Sequence, residues 1–202
     1  MQIQHYCAIG DSITDRRNHF VDTWYYDWLN RWWHPKALSL FAVSGATISG
    51  GFNSMTVYSR MVPASCDLLT IYGGINDFGR NQPLGQLGDA TPDTFYGALD
   101  QMLSQTLQDH PQTAVYFISH VKIGRLFFPP VNPLGLHQAD YEKAIADVTA
   151  AYSVPHLSLY QSWLDFSIPE MAARYSLDTL HPNDAGQLVI ARMIKDFIEA
   201  HG

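Results

Sequence analysis

Ser12 stands in the run Ile9-Gly10-Asp11-Ser12-Ile13-Thr14-Asp15, directly past the first strand-like stretch, Ile3 to Ile9. A serine in a Gly-Asp-Ser turn at the end of a hydrophobic strand sits where an α/β protein can expose a nucleophile, although the same residues also favour an ordinary turn. Its hydroxyl is weakly nucleophilic at neutral pH and needs a base to take the proton. Among nine histidines, His181 is the best candidate. In Asp178-Thr179-Leu180-His181-Pro182, one turn of chain can carry both the base and a carboxylate that fixes its tautomer and stabilises its imidazolium form. Pro182 and Asn183 then begin a helix that would hold the imidazole in place. The same pattern also suits a turn leading into a helix with a chance histidine in it.

Attack on a carbonyl creates an oxyanion, which needs donors aimed at it. Candidates are the backbone N–H groups of Ser12 and Gly45 and the side-chain amide of Asn76. Gly45 belongs to a Gly-rich loop, Ser44 to Gly51, where the missing side chain lets a substrate approach closely. That loop follows a strand and could hold phosphate, but it lacks the Gly-Lys-Ser/Thr of a P-loop. Asn76 stands in Gly74-Ile75-Asn76-Asp77, whose residue types all suit a turn apart from Ile75. Asp77 and Asp11 are read as bracing their loops rather than doing chemistry.

The elements that must position these residues alternate along the chain. Strand-like runs are Ile3 to Ile9, Lys36 to Val43, Asp67 to Gly73, Ala114 to Ser119 and Val154 to Leu159. The third is apolar almost throughout, as a strand buried on both faces should be. Aromatics at three- and four-residue intervals mark a helix over Asp22 to Trp33. Further helices are expected over Met55 to Met61, from Thr91-Pro92-Asp93 to about His110, over Gln138 to Tyr152, briefly near Pro169, and after Asn183 as N-cap. Five alternations with no repeat and no linker give a doubly wound α/β domain with a parallel sheet, one domain over residues 1–202. Ligands of such sheets bind beyond the carboxyl ends of the strands. Ser12, Gly45 and Asn76 each follow a different strand at that end, so three distant stretches converge on one rim.

The bulk properties exclude several classes. The 202 residues are 47% hydrophobic and 15% charged, a globular rather than a disordered composition. A net charge of -7 argues against nucleic acid or an anionic membrane as main partner. No run approaches the length needed to span a bilayer. No signal peptide is visible after Met1, so a cytoplasmic protein is expected. Cys7 lies late in the first expected strand and Cys66 just before the third, near opposite ends and too far apart for a disulfide. Both are read as buried, reduced thiols without metal-ligand spacing.

Taken together and in order, Gly10-Asp11-Ser12, Gly45, Gly74-Ile75-Asn76-Asp77 and Asp178-Thr179-Leu180-His181 resemble the four blocks of the SGNH (GDSL-type) esterase/lipase family. The resemblance spans almost the whole chain. It implies Ser12 as nucleophile, His181 as base, Asp178 as its partner, and an oxyanion hole from Ser12 N–H, Gly45 N–H and the Asn76 side chain. It also implies a flavodoxin-like three-layer fold with strand order 2-1-3-4-5, and neither metal nor cofactor. Ser12 is not in a Gly-x-Ser-x-Gly elbow, which separates the chain from the α/β-hydrolases.

A small-molecule ester is the expected substrate, hydrolysed through an acyl-enzyme on Ser12. The family acts on acetylated sugars, lysophospholipids, thioesters and aryl esters, so the substrate stays open. Ile13 and Ile75 beside the reacting groups suggest a partly apolar floor and favour short acyl chains, such as acetyl groups on a carbohydrate. A lysophospholipase or thioesterase, an acyltransferase, and a non-catalytic binding module on the same sheet are the alternatives. The loop Val121 to Leu136, with Phe127-Phe128-Pro129-Pro130, either lines an acyl pocket or packs against the sheet.

Overall fold

A computed structural model of the chain describes residues 2–50 and 53–202. Gly51, the last residue of the Gly-rich stretch, lies outside the described residues. Five strands form one parallel sheet: β1 (His5–Gly10), β2 (Ala37–Ala42), β3 (Leu68–Tyr72), β4 (Ala114–Ser119) and β5 (His156–Ser158). Their order is β2-β1-β3-β4-β5, as the family resemblance implies. Among the described residues, seven α-helices accompany them: α1 (Tyr25–Trp33), α2 (Met55–Ser59), α3 (Ile75–Gly79), α4 (Phe95–Asp109), α5 (Gln138–Ala151), α6 (Pro169–Tyr175) and α7 (Asp184–His201).

Strand alternation divides the core between the two faces of the sheet. Cys7, Ile9, Leu69, Ile71, Val115 and Phe117 point to one face and pack with α2, α4 and α5. Tyr6, Ala8, Leu68, Tyr72, Tyr116 and Ile118 point to the other and pack with α1 and α7. The three central strands β1, β3 and β4 are therefore apolar on both sides, as a sheet covered by two helix layers requires.

Several expected boundaries move, each for a local reason. Helix α1 begins at Tyr25 rather than Asp22, because Asp27 accepts from Trp24 N (3.1 Å) and closes the first turn there. Helix α4 begins at Phe95, not at Thr91-Pro92: the Thr94 hydroxyl accepts from Gly97 N and caps it. Gly74-Ile75-Asn76-Asp77 turns directly into the five-residue helix α3, with Gly74 at φ +107° making the corner. Asn183 caps α7, its side chain accepting from Gly186 N at 3.0 Å.

Both cysteines are buried and free, as expected, but their placement along the sheet differs from the expected one. Strand β1 starts at His5 and runs to Gly10, so Cys7 lies in its first half. Cys66 sits just ahead of β3 at the same end of the sheet, the two free thiols share one core cluster, and Cys66 Sγ donates to Leu68 O at 3.3 Å. The neighbouring Cys7 thiol and burial together push the Cys66 thiol up, which keeps it protonated.

Candidate active site

The carboxyl end of β1 runs into a tight turn. Asp11 O accepts from Thr14 N (3.0 Å) and Asp15 N (2.9 Å), and Asp11 Oδ1 accepts from Ile13 N (3.0 Å). Asn18 Nδ2 donates to Ser12 O at 2.7 Å. Ser12 is thus fixed from both sides, and only 6% of it is exposed.

The second piece arrives from the segment between α6 and α7. Asp178 Oδ1 accepts from Leu180 N (3.1 Å) and His181 N (2.8 Å), and Oδ2 lies 2.7 Å from His181 Nδ1. A carboxylate can only accept, so Nδ1 carries the proton and Nε2 is left bare. Nε2 lies 2.9 Å from Ser12 Oγ, which donates to it. Burial alone would raise the Asp178 carboxyl, but the hydrogen bonds from His181 outweigh it and hold the group below the usual carboxylate range. Thr179 bridges the pair at φ +69°, a backbone conformation that a β-branched residue occupies only under strain. The edges of Phe20 and Phe127 pack against the imidazole with centroids 4.7 and 5.1 Å away. The arrangement can pass the Ser12 proton to His181 and balance the resulting charge with Asp178.

The third piece is the loop after β2. Asp15 Oδ2 accepts from Ser44 N (2.8 Å) and Ser44 Oγ (3.0 Å), tying this loop to the one after β1. Gly45 follows at φ +79°. Among the described residues, neither Ser12 N–H nor Gly45 N–H has a hydrogen-bond partner. Asn76 Nδ2 donates to Ala46 O (3.0 Å) and, at greater length, to Asp11 Oδ2 (3.3 Å). Two free N–H groups and an amide at one cavity are what an anionic oxygen requires.

Asp77, one residue on, points away from the cavity. It accepts from Ile48 N (2.9 Å), Ser49 N (2.9 Å) and Ser49 Oγ, pinning the loop that carries Gly45. Its complete burial pushes it up to about 6 against those hydrogen bonds.

These pieces surround a cavity of about 400 Å³ whose wall includes Ser12, Gly45, Asn76 and His181. Phe127 and Phe128 line it too, so the Val121 to Leu136 loop forms part of the site wall; Phe128 also packs on Phe78. Sequence reasoning did not single out Arg80 or Phe20, which complete the wall. It also passed over His120, whose Nε2 donates to Asp11 Oδ2 at 3.0 Å from a position 3% exposed. His120 comes directly after β4 at the same rim as Ser12, and that placement was the signal available for it. No group of three or more His, Cys, Asp or Glu among the described residues is placed to hold a metal.

A family model for the GDSL-like lipase/acylhydrolase family matches residues 8–189. The chain belongs to that family. It is thereby an ester hydrolase by class. The fold described above recurs in a protein from Lactobacillus plantarum that is 42% identical, with a TM-score of 0.96 over 100% of this chain and 99% of that one. A possible lipase from Chitinophaga pinensis matches at 18% identity and a TM-score of 0.75, over 98% of each chain. A two-domain esterase active on acetylated mannans matches at 17% identity and a TM-score of 0.64, over 98% of this chain and 49% of that one. No curated protein matches the chain in sequence. No described helix is long and apolar enough to cross a membrane.

Proposed function

We propose that residues 1–202 form one domain and that it is a serine carboxylester hydrolase acting on small or short-acyl esters, acetylated carbohydrates among them. The observation that carries the reading is the continuous chain from Ser12 Oγ to His181 Nε2 (2.9 Å) and from Nδ1 to Asp178 Oδ2 (2.7 Å). In this mechanism His181 takes the Ser12 proton as Oγ attacks the ester carbonyl. The oxyanion gathers the N–H groups of Ser12 and Gly45 and the Asn76 amide. Asn76 can release its longer bond to Asp11 at little cost, because His120 continues to serve the same Asp11 oxygen. The protonated imidazole then donates to the leaving alkoxide, and the alcohol departs. Water, deprotonated by His181, attacks the acyl-enzyme and regenerates Ser12.

The smaller size of the cavity, about 400 Å³, and its aromatic wall suit a small acyl or alcohol group. The esterase on acetylated mannans lends support to acetyl removal from carbohydrate as one instance. A second reading, a lysophospholipase- or thioesterase-like acyl hydrolase, is favoured by one feature. An open groove of about 750 Å³, with mostly apolar walls from Leu126, Phe166, Ala172 and Leu177, adjoins the cavity at Asp178.

Labelling with a fluorophosphonate probe, read by intact mass and peptide mapping, tests the chemistry. One adduct on Ser12 is expected, absent in Ser12→Ala and slowed in His181→Ala. No adduct on folded wild type overturns the hydrolase reading in favour of a binding module. A 4-nitrophenyl ester series from acetate to palmitate separates the two substrate classes: a maximum at two to four carbons supports the first, a maximum at long chains the second.

A further inference from the structure

Arg80 is the cation of the cavity wall. It follows α3 immediately, and its backbone N–H donates to Asn76 O at 2.8 Å, one turn after the proposed oxyanion donor. Gln82 N donates to Asp77 O at 2.9 Å just beyond, so the backbone on both sides of its stem is held. The guanidinium lies over Gly45: a Cβ built on that glycine would stand 2.5 Å from Nη2 and 3.6 Å from Cζ. Among the described residues no carboxylate, carbonyl or aromatic ring engages the Arg80 guanidinium, whereas Arg16 and Arg17 are paired with Asp27 and Asp15. The other ionisable groups of the wall are His181 and Asp178, which are committed to each other. A chain with net charge -7 therefore presents a free, always-charged fork beside its reactive centre.

The geometry points to Arg80 as a specificity-determining residue that selects esters carrying an anionic group close to the scissile carbonyl. An oxyanion held by Gly45 N–H lies about one hydrogen-bond length from that nitrogen. The guanidinium is then roughly two such lengths from the reacting carbonyl, ~6 Å. A carboxylate or phosphate a few bonds from the carbonyl carbon can meet the fork in a bidentate, charge-assisted pair. Positive charge at the mouth also raises the local concentration of such substrates. The anion can belong to the acyl part, as in a monoester of a dicarboxylic acid, or to the alcohol part. The inference rests on the hydrolase reading and narrows its substrate class.

Two matched pairs of esters test it and separate the two origins. On the acyl side, 4-nitrophenyl hydrogen succinate is compared with 4-nitrophenyl butyrate. On the alcohol side, 3-acetoxybenzoate is compared with phenyl acetate. In at least one pair, the anionic-to-neutral ratio of kcat/KM is expected to fall about tenfold or more in Arg80→Ala, chiefly through KM. Arg80→Lys restores part of the ratio, Arg80→Gln does not, and added salt lowers it in wild type alone. If the ratio is unchanged in both pairs, because anionic and neutral esters lose equally or lose nothing, Arg80 only covers Gly45 and the inference fails. Calorimetric titration of monoethyl succinate and monoethyl phosphate into Ser12→Ala and Ser12→Ala/Arg80→Ala reads recognition without turnover. Weaker binding of either ligand to the double variant upholds the inference even if no ester is hydrolysed, and equal binding of both overturns it.

Discussion

Each proposed catalytic atom has a partner that fixes its protonation or direction. Asp178 is the clearest case, because two backbone N–H groups hold one oxygen while the imidazole takes the other. In Asp178→Asn the amide can turn its NH₂ toward Nδ1 and favour the wrong tautomer. A loss of roughly 10²–10⁴ in kcat with little change in KM is expected, measured on a short-chain aryl ester. Asn76→Ala removes one donor to the oxyanion and leaves two backbone donors in place. It should cost about 10²–10³ in kcat and leave the melting temperature within a few degrees of wild type. Ser12, Asp178 and His181 were legible in the sequence because they sit in two short local motifs whose residue types suit one chemistry. Arg80 and His120 were not, because their positions matter only through packing. One lies across a loop from Gly45 and the other across β3 from Asp11, and no sequence spacing encodes either approach.

At the scale of elements, the site is a junction of loops tied together at the carboxyl ends of the strands. Asp15 ties the β1 loop to the β2 loop, and Asp77 ties the β2 loop to α3. Gly45 lies at the crossing of these ties. A substituent there meets φ +79° and the Arg80 guanidinium, so the glycine serves the loop's own geometry as well as access for substrate. Gly45→Ala is expected to cost about 1–2 kcal/mol from the left-handed backbone. That corresponds to a fall of about 2–8 °C in Tm. Tilting the 45 N–H away from the oxyanion should lower kcat/KM more than tenfold. Retained activity together with the lower Tm would show that this N–H plays no part. The strands were legible because their apolar runs are short and bounded by Gly, Pro and Asp; β4 matches the expected Ala114 to Ser119 at both ends. Helix α3 was missed because five residues rich in turn formers carry no periodicity. The placement of Cys7 relative to Cys66 depends on where β1 begins, and a start two residues later than expected puts Cys7 at the same end as Cys66.

On the scale of the whole molecule, the fold buries His156 and Asp77, whose contributions to stability run in opposite directions with pH. His156, on β5, donates from Nε2 to Ser119 Oγ (3.0 Å), and that hydroxyl donates in turn to buried Glu142. Burial pushes His156 down to about 4. The unfolded chain takes up this proton near pH 6.5 and the folded protein refuses it until about pH 4, so stability present above pH 6.5 is lost on acidification through that window. At 1.36 kcal/mol per pH unit, the full loss is about 3 kcal/mol. Asp77 behaves inversely. Burial pushes it up to about 6, so the folded protein binds a proton there while the unfolded chain waits until about pH 4. Its contribution is fully present below pH 4 and is lost as the pH rises through 6, again on the order of 3 kcal/mol. Between pH 6.5 and 4 the two effects offset each other in the wild type, and single substitutions should expose them. Relative to wild type, His156→Gln gains stability as the pH falls across this range, because the proton-refusing group is gone. Asp77→Asn loses stability over the same range, because the proton-accepting group is gone. Urea denaturation at pH 7, 5.5 and 4.5 reads both differences. Slopes of the same sign for the two variants would mean that one of these groups does not titrate as its surroundings dictate. A flat difference for Asp77→Asn would show that its hydrogen bonds to Ile48 and Ser49 keep the carboxylate ionised in spite of its burial.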